Sequence, residues 1–402
     1  MQVDMHGLTD PGNPVKENQD TFLTVRHDTH VALAVFDGHG KTLGRLAAET
    51  ARAFFGDVFS RDQTYMDLRI DAEATMRHFF NECHAAIRQA FRDHYEERKM
   101  KVEDRPGGYL VVKQGMLQKS LLVQGGTTAS VVVVLDGKTM ICANVGDSSA
   151  LLCAPKQFDA TWSSLQGANV LSLLHKQGPL ISPPIEEPES TTFLHLCGDH
   201  SPESITEYQG VAAARSVHDK GDVPELLFVY DGLLGTQRLT IREKHQALEK
   251  TPVFVPNAET GDLTKVGEGS YYKNVRQEWA SLCCTPARAK YHESLAFTRS
   301  LGDFYIHSFG ITHEPDVIQI DLAQLMAGEA WSQVMLVVAS DGIWDAWQYG
   351  ELSEFVWQTW ADEKGAMEAV TARVMEQNKD ISAGIFGPSV DNMTVVVCSL
   401  QV

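Results

Sequence analysis

The chain has 402 residues, 43% of them hydrophobic, enough for a large core in two domains or in one domain with insertions. Its formal charge of −19 argues against a nucleic-acid or anionic-membrane surface, which needs a basic patch, and no apolar run reaches the roughly eighteen residues of a membrane span. The same charge poses a problem: an anionic substrate would be repelled unless cations neutralise the site.

The opening MQVDMHGLTD has the features of neither a signal peptide nor a myristoylation site. Seven scattered cysteines, an odd number, are expected to be free thiols in a reducing compartment, cytoplasmic or nuclear. The first short apolar run, residues 31–36, reads as a strand. A helix is expected over residues 42–55, with Leu43, Leu46, Ala47, Ala51 and Phe54 on one face. A longer one is expected over 72–98, with Met76, Phe79, Phe80, Cys83, Ile87, Phe91 and Tyr95 aligned. Residues 128–135 and 140–145 read as a hairpin turning at Asp136-Gly137.

Residues 154–192 and 204–292 lose periodicity and read as surface insertions in one domain spanning 1–402. Between them, HLCGDH (195–200) has metal-ligand residue types but no second pair at a zinc-like distance, so a structural role is expected. A strand is expected at 226–230. Residues 334–339 read as a strand covered on both faces, 351–377 as a helical region and 394–399 as a last strand. Strands, then helices, then strands again indicate an α+β architecture.

Two apolar runs end in Asp-Gly: VALAVFDGHG and VMLVVASDGIWD. The aspartates are Asp37 and Asp341. Asp20 in KENQD and Asp147 in ANVGDSSALL are further candidates, and Asp391 in DNMTVVV sits just before the last strand. Carboxylates gathered in one place repel unless a cation binds them, and hard oxygen ligands without Cys or His partners suit Mg²⁺ or Mn²⁺. Glycine after the aspartate lets backbone pass close to an ion. Each Asp-Gly alone is more often a plain turn, as expected for Asp231 in FVYDGLL. Asp303 in GDF reads as a structural group that could pair with Arg299, and Gly126 to Ala129 as core strand. Trp344 and Trp347 are expected to pack under the following helix.

In order along the chain, KENQD, VFDGHG, GGTTASVVVV, ANVGDSSALL, LAFTRSLGDFYIHSFGITHEPDV, LVVASDGIWDAW and DNMTVVV resemble the successive motifs of the metal-dependent protein serine/threonine phosphatases, the PPM or type 2C family. The resemblance runs from about residue 6 to residue 400. It implies a central β-sandwich of two antiparallel sheets flanked by helices on both outer faces, with a two-metal site at one end. It implies Mn²⁺ or Mg²⁺ bridged by Asp37, with the Gly38 carbonyl on one ion and Asp341 and Asp391 on the other. Asp20 and Gln19 would contact metal-bound water, and Asp147 would serve a weaker third position. His39 would be general acid toward the leaving serine or threonine oxygen, while a metal-bridging water or hydroxide attacks phosphorus. LCGDHSPES (196–204) is similar to the family segment that precedes a flap beside the active site, where the longer insertion falls. A phosphoprotein substrate and a monomer, without nucleic acid or membrane, are expected.

The chain departs from the family pattern at Val15, where many members have a phosphate-binding arginine, leaving neighbouring Lys16 as the candidate phosphate contact. It departs also at Gln19, where many have Glu, and at Lys41. These departures motivate a second reading, a catalytically silent member that scaffolds phosphoproteins. A small-molecule phosphoesterase is a third.

Overall fold

The computed structural model describes residues 2–114, 119–155, 192–217, 225–232, 250–326 and 332–401, together with 243 and 248. Ten strands form its centre: β1 (Gln2–Asp10), β2 (Thr21–His27), β3 (His30–Phe36), β4 (Ala129–Leu135), β5 (Thr139–Val145), β6 (Ser149–Cys153), β7 (Phe193–His195), β8 (Asp316–Asp321), β9 (Gln333–Ala339) and β10 (Met393–Gln401). One sheet runs β1-β10-β9-β6-β7 and the other β8-β5-β4-β3-β2. Every neighbouring pair is antiparallel.

The alternation of side chains along each strand divides the core. Leu33 and Val35 of β3, Val132 and Val134 of β4, Leu336 and Val338 of β9, and Val396 and Leu400 of β10 fill the space between the sheets. Their neighbours in sequence face outward and meet helices. Ala32, Ala34, Val131 and Val133 pack under α1 (Gly44–Val58) and α2 (Ala72–Glu96). Met335, Val337, Val395 and Val397 pack under α3 (Tyr349–Asp362) and α4 (Met367–Phe386). This is the four-layer α+β sandwich the motifs implied. It explains why β9 carries apolar residues at nearly every position: both of its faces are covered.

The 136–137 hairpin is as expected. Asp136 (φ 53°) and Gly137 (φ 67°) both take the left-handed conformation of a type I′ turn. Asp71 caps α2, its carboxylate accepting from the Ala74 amide at 2.9 Å. The apolar face of α1 is rotated from the expected one. Ala47, Ala48, Ala51, Phe55 and Val58 are buried, whereas Leu46 and Phe54 lie at the margin. The helical region at 351–377 is two helices, because Lys364 (φ 53°) and Gly365 (φ 85°) break it. Trp344 and Trp347 are buried as expected, and the Trp347 Nε1 donates to Asn378 of α4 at 3.0 Å.

Most of the first aperiodic stretch, residues 156–191, lies outside the described residues. The second has more order than its composition suggested. It holds a helix (Ile205–Val217), two strands (Leu227–Tyr230 and Ser281–Cys284) of a small sheet that Ser294–Leu295 completes from just beyond it, and a hairpin of Phe254–Pro256 with Leu263–Lys265. Val211, Phe228, Phe254 and Cys283 share an apolar cluster with Tyr305, Ile306 and Phe309 of the GDFYIHSF segment. All seven cysteines are free and buried. Among the described residues no helix is long and apolar enough to cross a membrane.

Candidate metal centre and active site

Strand register delivers the acidic groups to one end of the sandwich. In the second sheet Thr21 lies opposite Phe36, Val35 opposite Ser130, and Ala129 opposite Val145. Asp20 before β2, Asp37 after β3 and Asp147 after β5 therefore emerge together. In the first sheet Ser149 lies opposite Ala339, and Ala339 opposite Val395. Asp341 after β9 and Asp391 before β10 emerge at the same end as Asp147.

The glycines of the two Asp-Gly pairs serve this convergence through close chain approach. A Cβ on Gly38 would stand 2.5 Å from the backbone oxygens of Gln19 and of Gly44. One on Gly342 would collide with the Asn392 carbonyl. Each glycine lets one acid-bearing segment lie against another. Around them, Ser340 Oγ donates to Asp20 Oδ2 at 2.7 Å, the Asp37 amide donates to Thr128 Oγ1 at 3.1 Å, and the Gln19 amide donates to Asn392 Oδ1 at 2.8 Å.

The carboxylates perturb one another. Burial first, then Asp20, Asp341, Asp147 and Asp391, hold Asp37 well above the usual carboxylate range. Burial and then Asp147, Asp345, Asp391 and Asp20 do the same to Asp341. Burial pushes Asp20 up to about 6 against its hydrogen bonds. Asp345 is also pushed to about 6 by burial, although Lys273 and Arg276 pull it down. Among the described residues, the buried atoms Asp20 Oδ1 and Asp147 Oδ1 have no hydrogen-bond partner. Unsatisfied carboxylate oxygens in a mutually repelling group are a donor set for hard divalent cations. The residues present fit a hard divalent cation such as Mg²⁺ or Mn²⁺, which Asp37, Asp341 and Asp391 would hold with Asp20 and Asp147 adjacent.

His39 stands beside this cluster. Its Nε2 lies 2.6 Å from Asp303 Oδ2, and Asp303 also accepts from Ser300 Oγ at 2.7 Å. An ionised carboxylate only accepts, so Nε2 carries the proton in that bond. Burial pushes the His39 pKa down, but Asp303 outweighs it, with smaller help from Asp147, so the ring titrates above its ordinary 6.5. Nδ1 is buried and makes no hydrogen bond among the described residues. Phe297 packs edge-on against the ring at 5.0 Å.

One expected pairing is corrected, and the other candidates take these places. Arg299 does not pair with Asp303. It binds Glu207 at 2.5 Å and Asp316 at 2.8 Å, tying the Ile205–Val217 helix to β8. Gln19 turns its side-chain amide to the Gly40 carbonyl at 3.2 Å, bracing the DGHG loop. Lys16 is held at the rim by Asp391 (3.6 Å) and by the Val390 carbonyl (3.1 Å), while Val15 is 88% exposed. HLCGDH is structural, as expected: His195 stacks on Tyr349, and His200 Nδ1 accepts from the Gly146 amide at 3.1 Å. Elsewhere His84, His307 and His313 have nitrogens close together. Each ring has a protein partner: His84 Nδ1 accepts from the Gly302 amide at 3.2 Å, His307 Nε2 lies 3.2 Å from Ser300 Oγ, and His313 Nε2 lies 3.1 Å from Asn81 Oδ1.

Comparison with known proteins bears on the family and the fold. The family description Protein phosphatase 2C matches residues 17–165 and 281–380. The chain belongs to the protein phosphatase 2C family. The phosphatase 2C match leaves 166–280 uncovered, which contains most of the second aperiodic stretch. The chain is 23% identical over 280 residues to "Probable protein phosphatase 2C 51" of Arabidopsis thaliana, covering 69% of this chain and 41% of that protein. It is 33% identical over 139 residues to "Protein phosphatase 1K, mitochondrial" of Xenopus laevis, covering 34% of this chain and 30% of that one. The chain thus spans less than half the length of either relative. Its fold is similar to that of a serine-threonine phosphatase 2C from Toxoplasma gondii, with a TM-score of 0.53 and 14% identity over 99% of this chain and 95% of the other.

Sequence reasoning missed several residues of this phosphatase 2C site. Asp303 was read as scaffold, yet it holds His39. Thr128, read as core, binds the Asp37 backbone in both directions, its own amide donating to the Asp37 carbonyl at 2.9 Å. Asp345 was passed over, although it follows Asp341 by one helical turn; that i, i+4 spacing was the available signal. Lys273 had no local signal at all.

The repulsion predicts a melting experiment. Asp20 and Asp345 have folded pKa values of about 6 against an ordinary 3.8. A raised folded pKa means that stability present below about pH 4 is lost as pH rises through about 6, and Asp37 and Asp341 extend the loss further. The metal-free protein should therefore lose melting temperature on these groups' account from pH 5 to pH 8. Saturating Mn²⁺ should restore it by an increment that grows with pH, about 2.7 kcal/mol per ion at one hundred times Kd. Comparing melts with and without Mn²⁺ at each pH cancels groups remote from the site. Superimposable curves at pH 8 would remove the metal centre.

Proposed function

We propose that the protein is a Mn²⁺- or Mg²⁺-dependent phosphatase that hydrolyses phosphoserine and phosphothreonine in proteins by direct attack of water on phosphorus. The observation that carries this reading is the convergence of Asp20, Asp37, Asp147, Asp341 and Asp391 at one end of the sandwich with His39 beside them. Bound divalent ions would supply Lewis acidity and a water of lowered pKa, and would neutralise the phosphate dianion that a chain of charge −19 would otherwise repel.

The chain's own residues do the rest. Asp37 and Asp341 present their carboxyl groups at the ends of two rigid strands, with Thr128 and Ser340 fixing the neighbouring backbone and side chains. His39, whose protonated form Asp303 favours, would hold a proton on Nδ1, the nitrogen without a partner, for the departing alkoxide. Alkoxides leave poorly without a proton, so this matters most for serine and threonine esters. No thiol nucleophile is required, and the cysteines are buried. We read residues 1–402 as one unit acting as a monomer, with 204–292 an elaboration at its flap, and with neither nucleic acid nor membrane as partner.

The test is hydrolysis of phosphoserine and phosphothreonine peptides by purified protein with Mn²⁺, abolished by a chelator and restored by the ion. Preference for sugar phosphates or nucleotides under the same conditions would replace the protein substrate with a small molecule. Mn²⁺ binding without turnover on any phosphoester would leave the scaffold reading.

A further inference from the structure

Residues 271–280 form a clip against the helix that begins with Asp341 (Asp341–Trp344). Within it, the Lys273 amide donates to the Glu278 carbonyl at 2.7 Å, and Asn274 Nδ2 donates to Glu278 Oε2 at 2.8 Å. The Val275 amide donates to the Asp345 carbonyl at 3.1 Å. Arg276 anchors the clip: its guanidinium donates to the Trp344 and Trp347 carbonyls and lies 4.7 Å over the Tyr349 ring. The result aims one ammonium at the acidic cluster. Lys273 Nζ stands 3.8 Å from Asp147 Oδ2 and 3.7 Å from Glu278 Oε2, with its side chain 23% exposed.

We infer that Lys273 is a tethered counter-cation that takes the place of a further divalent ion on the Asp147–Asp345 side of the centre. This rests on the metal-centre reading above and specifies its ion count. Asp147 retains one buried oxygen without a partner, so the corner carries negative charge that some cation must offset. A fixed monovalent charge offsets part of it without an ion's coordination demands. It also leaves Asp37, Asp341 and Asp391 as the ion-holding set of this centre. Because Lys273 comes from a segment outside the family match, this arrangement is a property of this chain's elaboration.

The experiment is Mn²⁺ titration of metal-free protein by calorimetry, with bound metal counted after equilibrium dialysis. Wild type is expected to bind about two ions and Lys273→Met about three, the added one weakly. Lys273→Arg, which keeps the charge, should stay near two. Methionine retains the aliphatic stem, and circular dichroism verifies the fold. Three ions in wild type, or two in both wild type and Lys273→Met, overturns the inference and leaves the metal centre standing. No ion in wild type overturns the metal centre itself. The wild-type count alone can reject the idea, even if the variant does not fold.

Discussion

Asp37→Asn should reduce turnover of a phosphopeptide by about 10³-fold, roughly 4 kcal/mol of transition-state stabilisation, while the metal-free protein becomes more stable at pH 8. The two effects have one cause. Asp37 sits among Asp20, Asp341, Asp147 and Asp391, which hold its carboxyl well above the usual range after burial has done most of the work. Ionising it at pH 8 therefore costs stability in the absence of metal, and asparagine removes that cost. The backbone bonds between Asp37 and Thr128 use the main chain of Asp37, so they survive the change. With Mn²⁺ the order reverses: wild type gains melting temperature and Asp37→Asn gains much less. A purely structural aspartate would give the opposite pattern, with the variant less stable in metal-free buffer and equally active once folded. Retention of full Mn²⁺-dependent activity by Asp37→Asn would end the assignment.

The second large effect concerns His39. His39→Gln should cost about 10²-fold or more in kcat on a phosphoserine peptide and far less on an aryl phosphate, whose leaving oxygen needs no proton. That contrast between substrates separates a proton donor from a residue that merely shapes the loop. Asp303→Asn tests the support. Burial lowers the His39 pKa and Asp303 more than reverses it, so the imidazolium persists above the ordinary 6.5. As general acid it must be protonated, so kcat on the peptide falls as pH rises through that raised value. Removing the carboxylate leaves burial unopposed, and the alkaline limb should move to lower pH. Asparagine suits the position because Asp303 has φ 44°, a left-handed conformation that asparagine tolerates. Glu293 faces the same group, its carboxyl pushed to about 7 by burial and by Asp303, so Glu293→Gln is the control. An unmoved alkaline limb in Asp303→Asn would show that the pair does not set the profile.

Legibility in the sequence followed the range of the interactions. The buried strands β3, β4, β5, β9 and β10 announced themselves because a segment covered on both faces must be apolar throughout. The Asp136-Gly137 turn was readable because only a few residue types accept two successive left-handed conformations. β1 and β2 were missed: their residues are mostly half-exposed and of mixed polarity, and only pairing with β10 and β3 makes them strands. The Ile205–Val217 helix was hidden in the same way, its amphipathic signal weak until Tyr305 and Phe309 cover it.

By itself the sequence determined the apolar alternation, the turn chemistry and the positions of Asp37, Asp341 and Asp391 at strand ends, which together with the order of the motifs that carry Asp20 and Asp147 identified the family and the type of chemistry. Only the tertiary structure decided which groups meet. Asp303 finds His39 264 residues away, and Arg299 finds Glu207 and Asp316 rather than its near neighbour. Lys273 finds Asp147, and Gly342 yields to the Asn392 carbonyl. The physical reason is that a strand or turn is stabilised by neighbours a few residues away. An ion-binding corner, by contrast, depends on register and close approach between strands of two sheets, set by packing that no local pattern encodes.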